Sequence, residues 1–119
     1  MSKILVFDID GVLCPKLIGD GVDYSSLKPF PQAVETINKL FDEGYKIVFF
    51  TSRFMSRCNN NPREAHKRGY EFTLNQLKKW GIKFHELHMG KIKADKYIDD
   101  KSIFFQQDWK KIYEECTKE

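Results

Sequence analysis

The run Ile4-Leu5-Val6-Phe7, followed at once by Asp8, Asp10 and Gly11, constrains this chain more than any other feature. Four apolar residues, two of them β-branched, make a short buried strand, and the acids and glycine after them make a polar turn. The two carboxylates therefore fall at a strand's C-terminal end. The same grammar recurs downstream. Tyr45 to Phe50 is apolar apart from Lys46 and ends at Thr51-Ser52-Arg53, while Phe84 to Leu87 and Tyr97 to Ile98 are two further short strands, the last running into Asp99 and Asp100.

Helices are expected between them. Phe30, Val34, Ile37 and Phe41 recur at helical spacing, with Pro31 suited to a first turn and Gly44 to a C-terminal cap. Asn61 with Glu64 three residues later starts a second helix that Leu74, Leu77 and Gly81 carry to its end, although Gly69 weakens its first half. Trp109, Ile112, Tyr113 and Cys116 give a closing helix. Between Gly11 and Pro29 the pattern breaks at Pro15, Gly19 and Gly21, an excursion of the length that is usually functional in a small domain. Alternating strands and helices predict an α/β fold, a three-layer α/β/α sandwich around a central parallel, Rossmann-like sheet, with a ligand crevice at the C-terminal strand ends.

The 119 residues, 41% hydrophobic and 31% charged, suit one globular domain spanning 1–119. No apolar run is long enough for a membrane span, and acidic residues interrupt the N-terminus where a signal peptide needs an apolar stretch, so a cytoplasmic protein is expected. Cys14, Cys58 and Cys116 are odd in number and lack CxxC spacing, which argues against a disulfide framework and a zinc site. A net charge of +3 is too mild to imply nucleic-acid binding and leaves acidic small molecules open as partners.

Polar clusters end four predicted strands: Asp8 and Asp10, Thr51 to Arg53, Lys91 or Lys93, and Asp99 with Asp100. Carboxylates gathered on one edge repel unless a cation offsets them, and an all-oxygen donor set suits Mg2+, which keeps waters and takes the rest of its shell from a substrate phosphate. A lone Asp-x-Asp-Gly also opens calcium loops, but no further ligands at that spacing follow here.

These residues resemble the haloacid dehalogenase-like superfamily over nearly the whole chain and in order. Val6-Phe7-Asp8-Ile9-Asp10-Gly11-Val12-Leu13 is similar to its first motif, Phe49-Phe50-Thr51-Ser52-Arg53 to its second, and Gly90-Lys91 and Tyr97-Ile98-Asp99-Asp100 to its third and fourth. The resemblance implies that Asp8 attacks phosphorus to give an aspartyl-phosphate, and that Asp10 protonates the leaving group and then activates water. It implies that Thr51 and Lys91 hold the phosphoryl oxygens, that Ser52 and Arg53 bind substrate, and that Asp8, Asp10, Asp99 and Asp100 form the magnesium site. Within that superfamily an acid at the position of Asp10 goes with phosphatases and phosphomutases, so the resemblance implies that dehalogenation is not the reaction. Lys91 departs from the family in lacking a following proline, and Lys93 stands as its rival.

The intervals between motifs leave no room for a cap domain, and capless relatives take large substrates or borrow a neighbouring subunit, so a homo-oligomer is open. Asp23-Tyr24-Ser25 and Trp80 to Leu87 also resemble small phosphatase-like proteins encoded with bacterial surface-polysaccharide genes. The leading expectation is a magnesium-dependent phosphomonoester hydrolase acting on a sugar phosphate. The alternatives are a nucleotide or polynucleotide end phosphatase and a catalytically silent module that binds a phosphorylated ligand. The basic stretch Arg53, Arg57, Arg63, Lys67 and Arg68 has two readings, a receptor for a second substrate anion and a solvated face. His85, His88, Trp80 and Trp109 are read as structural.

Overall fold

The first apolar run forms strand β1 (Ile4–Phe7) in a computed structural model that describes residues 3–19 and 22–118. β1 pairs in parallel with β2 (Lys46–Thr51), and β2 in parallel with β3 (Glu86–Met89). The order is β1-β2-β3, with Phe7 opposite Phe49 and Thr51 opposite Met89. Parallel neighbours need crossovers. Helices α1 (Pro31–Asp42) and α2 (Pro62–Lys79) provide them, and α3 (Trp109–Thr117) packs against α1.

The strands alternate inside and outside as a pleated sheet requires. Phe7, Ile47, Phe49, Leu87 and Met89 join one buried cluster with Ala33, Ile37 and Leu40 of α1, Leu77 of α2, and Trp109, Ile112 and Cys116 of α3. On the opposite face Val48 is buried, whereas Ile4 and Val6 remain 61% and 60% exposed. Thus β1, expected as a buried strand, is an edge strand among the described residues, with one wet face.

Local chemistry explains the element ends. Asn61 Oδ1 accepts hydrogen bonds from the Arg63 and Glu64 backbone N–H groups at the start of α2, with Pro62 in the first turn. Gly44 turns the chain out of α1 at φ 98°, a conformation that favours glycine. His85 extends the β2–β3 pairing one residue before its first regular pair: its backbone N–H donates to Ile47 O, and its Nδ1 accepts from Ile47 N at 3.0 Å. The ring also stacks on Phe41 with centroids 4.6 Å apart, a structural role.

The segment 90–108 contains no helix or strand, so the strand expected at Tyr97 to Ile98 does not form. Tyr97 is exposed and Ile98 is 97% exposed. Lysines and aspartates surround this apolar pair, which is too little buried surface to offset the backbone entropy of ordering a strand. The excursion after Gly11 holds a short 3-10 turn at Tyr24–Ser26, whose preceding Asp23 accepts from the Ser25 backbone N–H. Gly21, one of its expected breaks, lies outside the described residues.

Candidate active site

The strand-end acids are presented by a tight turn. Val12 and Leu13 donate backbone N–H groups to Ile9 O, Gly11 N donates to Cys14 O, and Gly11 takes φ 85° to close the bend. Ile9 and Leu13 are fully buried, which anchors the turn from below. Asp8 Oδ1 accepts from the Ile9 backbone N–H at 2.8 Å, which fixes the carboxylate. Its other oxygen faces Lys91 Nζ at 3.3 Å, and both side chains keep solvent access, 31% and 24%. A partly exposed carboxylate beside an ammonium has the chemistry a nucleophile needs, an accessible oxygen with a cation at hand.

Lys91 reaches Asp8 because the end of β2 holds its backbone: Lys91 N donates to Thr51 O at 3.1 Å. The preceding Gly90 adopts φ 94°, and a Cβ there would stand 2.8 Å from Pro62 Cβ at the start of α2. Only glycine allows this approach. Thr51 is buried at the strand end, and its hydroxyl oxygen accepts from the Arg53 backbone N–H at 3.0 Å, which leaves the hydroxyl proton free to donate. Lys93 is exposed, and its backbone N–H donates to Asn60 Oδ1. Of the two lysines, the structure therefore brings Lys91 to Asp8.

Arg53 lies inside rather than on the rim. Its side chain is 0% exposed, with Nε 2.9 Å from Asp10 Oδ2 and Nη2 3.0 Å from Asp10 Oδ1. Nη1 donates to Gln76 Oε1 at 2.6 Å, and the guanidinium lies over the Tyr24 ring, 4.5 Å from its centroid. Gln76 Nε2 in turn donates to Tyr24 O at 2.7 Å, so α2 and the excursion after Gly11 meet on this arginine. Cys14 Sγ sits 3.4 Å from Asp10 Oδ1; burial first, then the Asp10 charge, push its thiol up to about 12. The same two causes in the same order raise the Tyr24 phenol.

Beyond Arg53 the chain bends sharply. Ser52, partly exposed, accepts from Met55 N, and Phe54 adopts φ 69°, unusual for an aromatic residue. The Phe54 ring packs on Tyr24 at 5.3 Å and lies against Gly69 of α2, where a Cβ would meet ring carbon at 2.3 Å. The glycine that weakened the helix in sequence is the seat of this ring. Exposed Arg57 lies over both rings and donates to Val22 O.

Asp99 and Asp100 are not brought to Asp8 and Asp10. Both are exposed in the irregular segment, and Asp99 accepts from Lys101 N at 2.8 Å, a bond that holds its carboxyl below the usual range. Among the described residues no group of three or more His, Cys, Asp or Glu side chains is set to hold a metal ion. Gln76 and Tyr24 were not singled out in the sequence as parts of a site. Gln76 carried a weak signal, a polar residue beside Leu77 on a helix; Tyr24 entered only through the Asp23-Tyr24-Ser25 resemblance, with no role attached to it.

No family model matches the chain. A Bacillus cereus protein with a provisional nucleotidase name is 30% identical over 84 residues, 69% of this chain, and the chain spans 44% of that relative's length. A structural-genomics crystal structure from Vibrio cholerae superposes with a TM-score of 0.75 at 22% identity, covering 95% of this chain and 98% of that one. The D,D-heptose 1,7-bisphosphate phosphatase of B. bronchiseptica, crystallised with magnesium and phosphate, superposes with a TM-score of 0.51 at 16% identity over 78% of this chain and 52% of that one.

Proposed function

We infer, from a chain with the haloacid dehalogenase-like fold, that this protein is a phosphomonoester hydrolase in which Asp8 is the nucleophile. The observation that carries the reading is the pairing of a solvent-accessible Asp8 carboxylate with Lys91 at the strand edge that also bears Thr51. Asp8 Oδ2 attacks phosphorus as the bond to the leaving oxygen breaks, which gives an aspartyl-phosphate. The Lys91 ammonium offsets charge on the transferring group, and the Thr51 hydroxyl donates to one of its oxygens. Positioning and charge stabilisation of this kind supply most of the acceleration in phosphoryl transfer. Asp10 is the acid–base partner, assisting the leaving oxygen and then taking a proton from the water that releases phosphate.

Magnesium belongs to this reading through the donor chemistry of Asp8, Asp10, Asp99 and Asp100, all hard oxygen ligands. The arrangement described above does not fit a bound ion: Asp10 has both oxygens on Arg53, and the later acids lie in exposed chain. No step is therefore routed through a metal. Phosphate release with added magnesium and with EDTA decides the point: release that stops in EDTA would place a metal in the working enzyme, and undiminished release would remove it from the reading.

The substrate we propose is a sugar phosphate, the class to which the B. bronchiseptica protein's substrate belongs. A nucleotide is the second reading. It rests on the name of the Bacillus cereus relative. Phosphate release from hexose and heptose phosphates, nucleotides and 3′-phosphorylated oligonucleotides, compared between wild type and Asp8→Asn, tests both. Release from one class that vanishes in Asp8→Asn supports the mechanism and selects the substrate. Release that survives the substitution refutes the nucleophile.

A further inference from the structure

Resting on the phosphatase reading, we propose that Arg53 is a positioning residue that sets Asp10 for the second half-reaction, hydrolysis of the aspartyl-phosphate, and that it does not contact substrate. Two observations carry this. The guanidinium has no exposed surface, so its charge is not offered to a ligand. Its donors point inward: Nε and Nη2 form a two-pronged pair with the Asp10 carboxylate, Nη1 goes to Gln76 Oε1, and the planar face rests on Tyr24. A fork of that shape fixes both the rotation and the distance of a carboxylate, which a lysine's point charge does not.

The occupancy of the two Asp10 oxygens then selects the step. Oδ1 takes Arg53 Nη2 at 3.0 Å and lies 3.4 Å from Cys14 Sγ. Oδ2 takes Arg53 Nε and retains a further lone pair. A carboxylate held this way is fixed in rotation and distance, so its remaining lone pair faces one direction and can meet a water proton only from there. In the hydrolytic step the water oxygen bonds to phosphorus as the bond from phosphorus to the Asp8 oxygen breaks. The electron pair of that broken bond returns to Asp8 as a carboxylate, one water proton passes to Asp10 Oδ2, and inorganic phosphate departs. The first step depends on Asp10 less when the leaving group departs easily without a proton.

p-Nitrophenyl phosphate is such a substrate, so pre-steady-state kinetics on the full chain separate the two halves. For Arg53→Met, and for Arg53→Lys, which keeps the charge but loses the fork, we expect a burst of about one p-nitrophenolate per chain followed by a steady rate roughly 100-fold below wild type. Acid-quenched protein should carry the accumulated phosphoryl group. Should Arg53→Met fail to fold by circular dichroism, Arg53→Lys carries the test. Equal losses of burst and steady rate would overturn the proposal, as would a raised KM at unchanged kcat, which marks a substrate contact. Absence of turnover in the wild type would overturn the phosphatase reading itself, and this inference with it.

Discussion

At the scale of single residues, the region around Asp10 is held by contacts that allow little substitution. Phe54 has an unfavourable φ of 69° and its ring fills the space where a Gly69 side chain would begin. Gly69→Ala forces that ring to move, and overpacking of this kind costs about 1–3 kcal/mol despite alanine's better helix propensity. Adding Phe54→Gly removes both the ring and the conformational penalty, so the double variant should recover part of the loss in urea denaturation. Strictly additive losses would show that the two positions do not interact. Cys14 gives a second prediction. A thiol pushed up to about 12 by burial stays protonated at pH 8, so iodoacetamide should label it in the native chain at a rate set by unfolding. Prompt stoichiometric labelling of Cys14, located by mass spectrometry, would contradict this.

At the scale of elements, what the sequence disclosed followed from pattern and punctuation. The apolar runs became β1 and β2, and proline, the Asn61 cap and the closing Gly44 marked helix ends. Asn61→Ala should cost about 1 kcal/mol of stability and Asn61→Asp nearly nothing, because the second keeps the oxygen that accepts from Arg63 N and Glu64 N. Equal destabilisation by the two would mean that the cap does not act through that acceptor. The Asp8, Thr51 and Lys91 juxtaposition was legible because each residue lies at or just past the C-terminal end of a segment that reads as a parallel strand. Two things were not. The Tyr97 to Ile98 strand reads well locally, yet its formation depends on burial that the polar sequence around it does not supply. The inward turn of Arg53 depends on Gln76 and Tyr24, residues 23 and 29 positions away in opposite directions, which no local pattern links to it.

At the scale of the whole molecule, order is distributed unevenly. The centre of β2 is buried and paired on both sides, whereas 90–108 has no regular structure and exposes Ile92, Tyr97, Ile98, Ile103 and Phe104. Native-state hydrogen exchange should therefore find the slowest amides at Ile47 to Phe49 and fast exchange through most of 90–108. Comparable protection in the two would contradict the described arrangement. Helix α2 touches the site at two separated points, Pro62 against the glycine preceding Lys91 and Gln76 against the guanidinium that holds Asp10. Those points are roughly 21 Å apart along the helix at 1.5 Å per residue. The helix is thus a ruler laid across the site: sliding it along its axis would displace the support of Lys91 and the support of Asp10 together. Substitutions on the far side of α2 that shift it as a body would then be read out as losses in both of the proposed chemical steps at once, unlike a change confined to either contact.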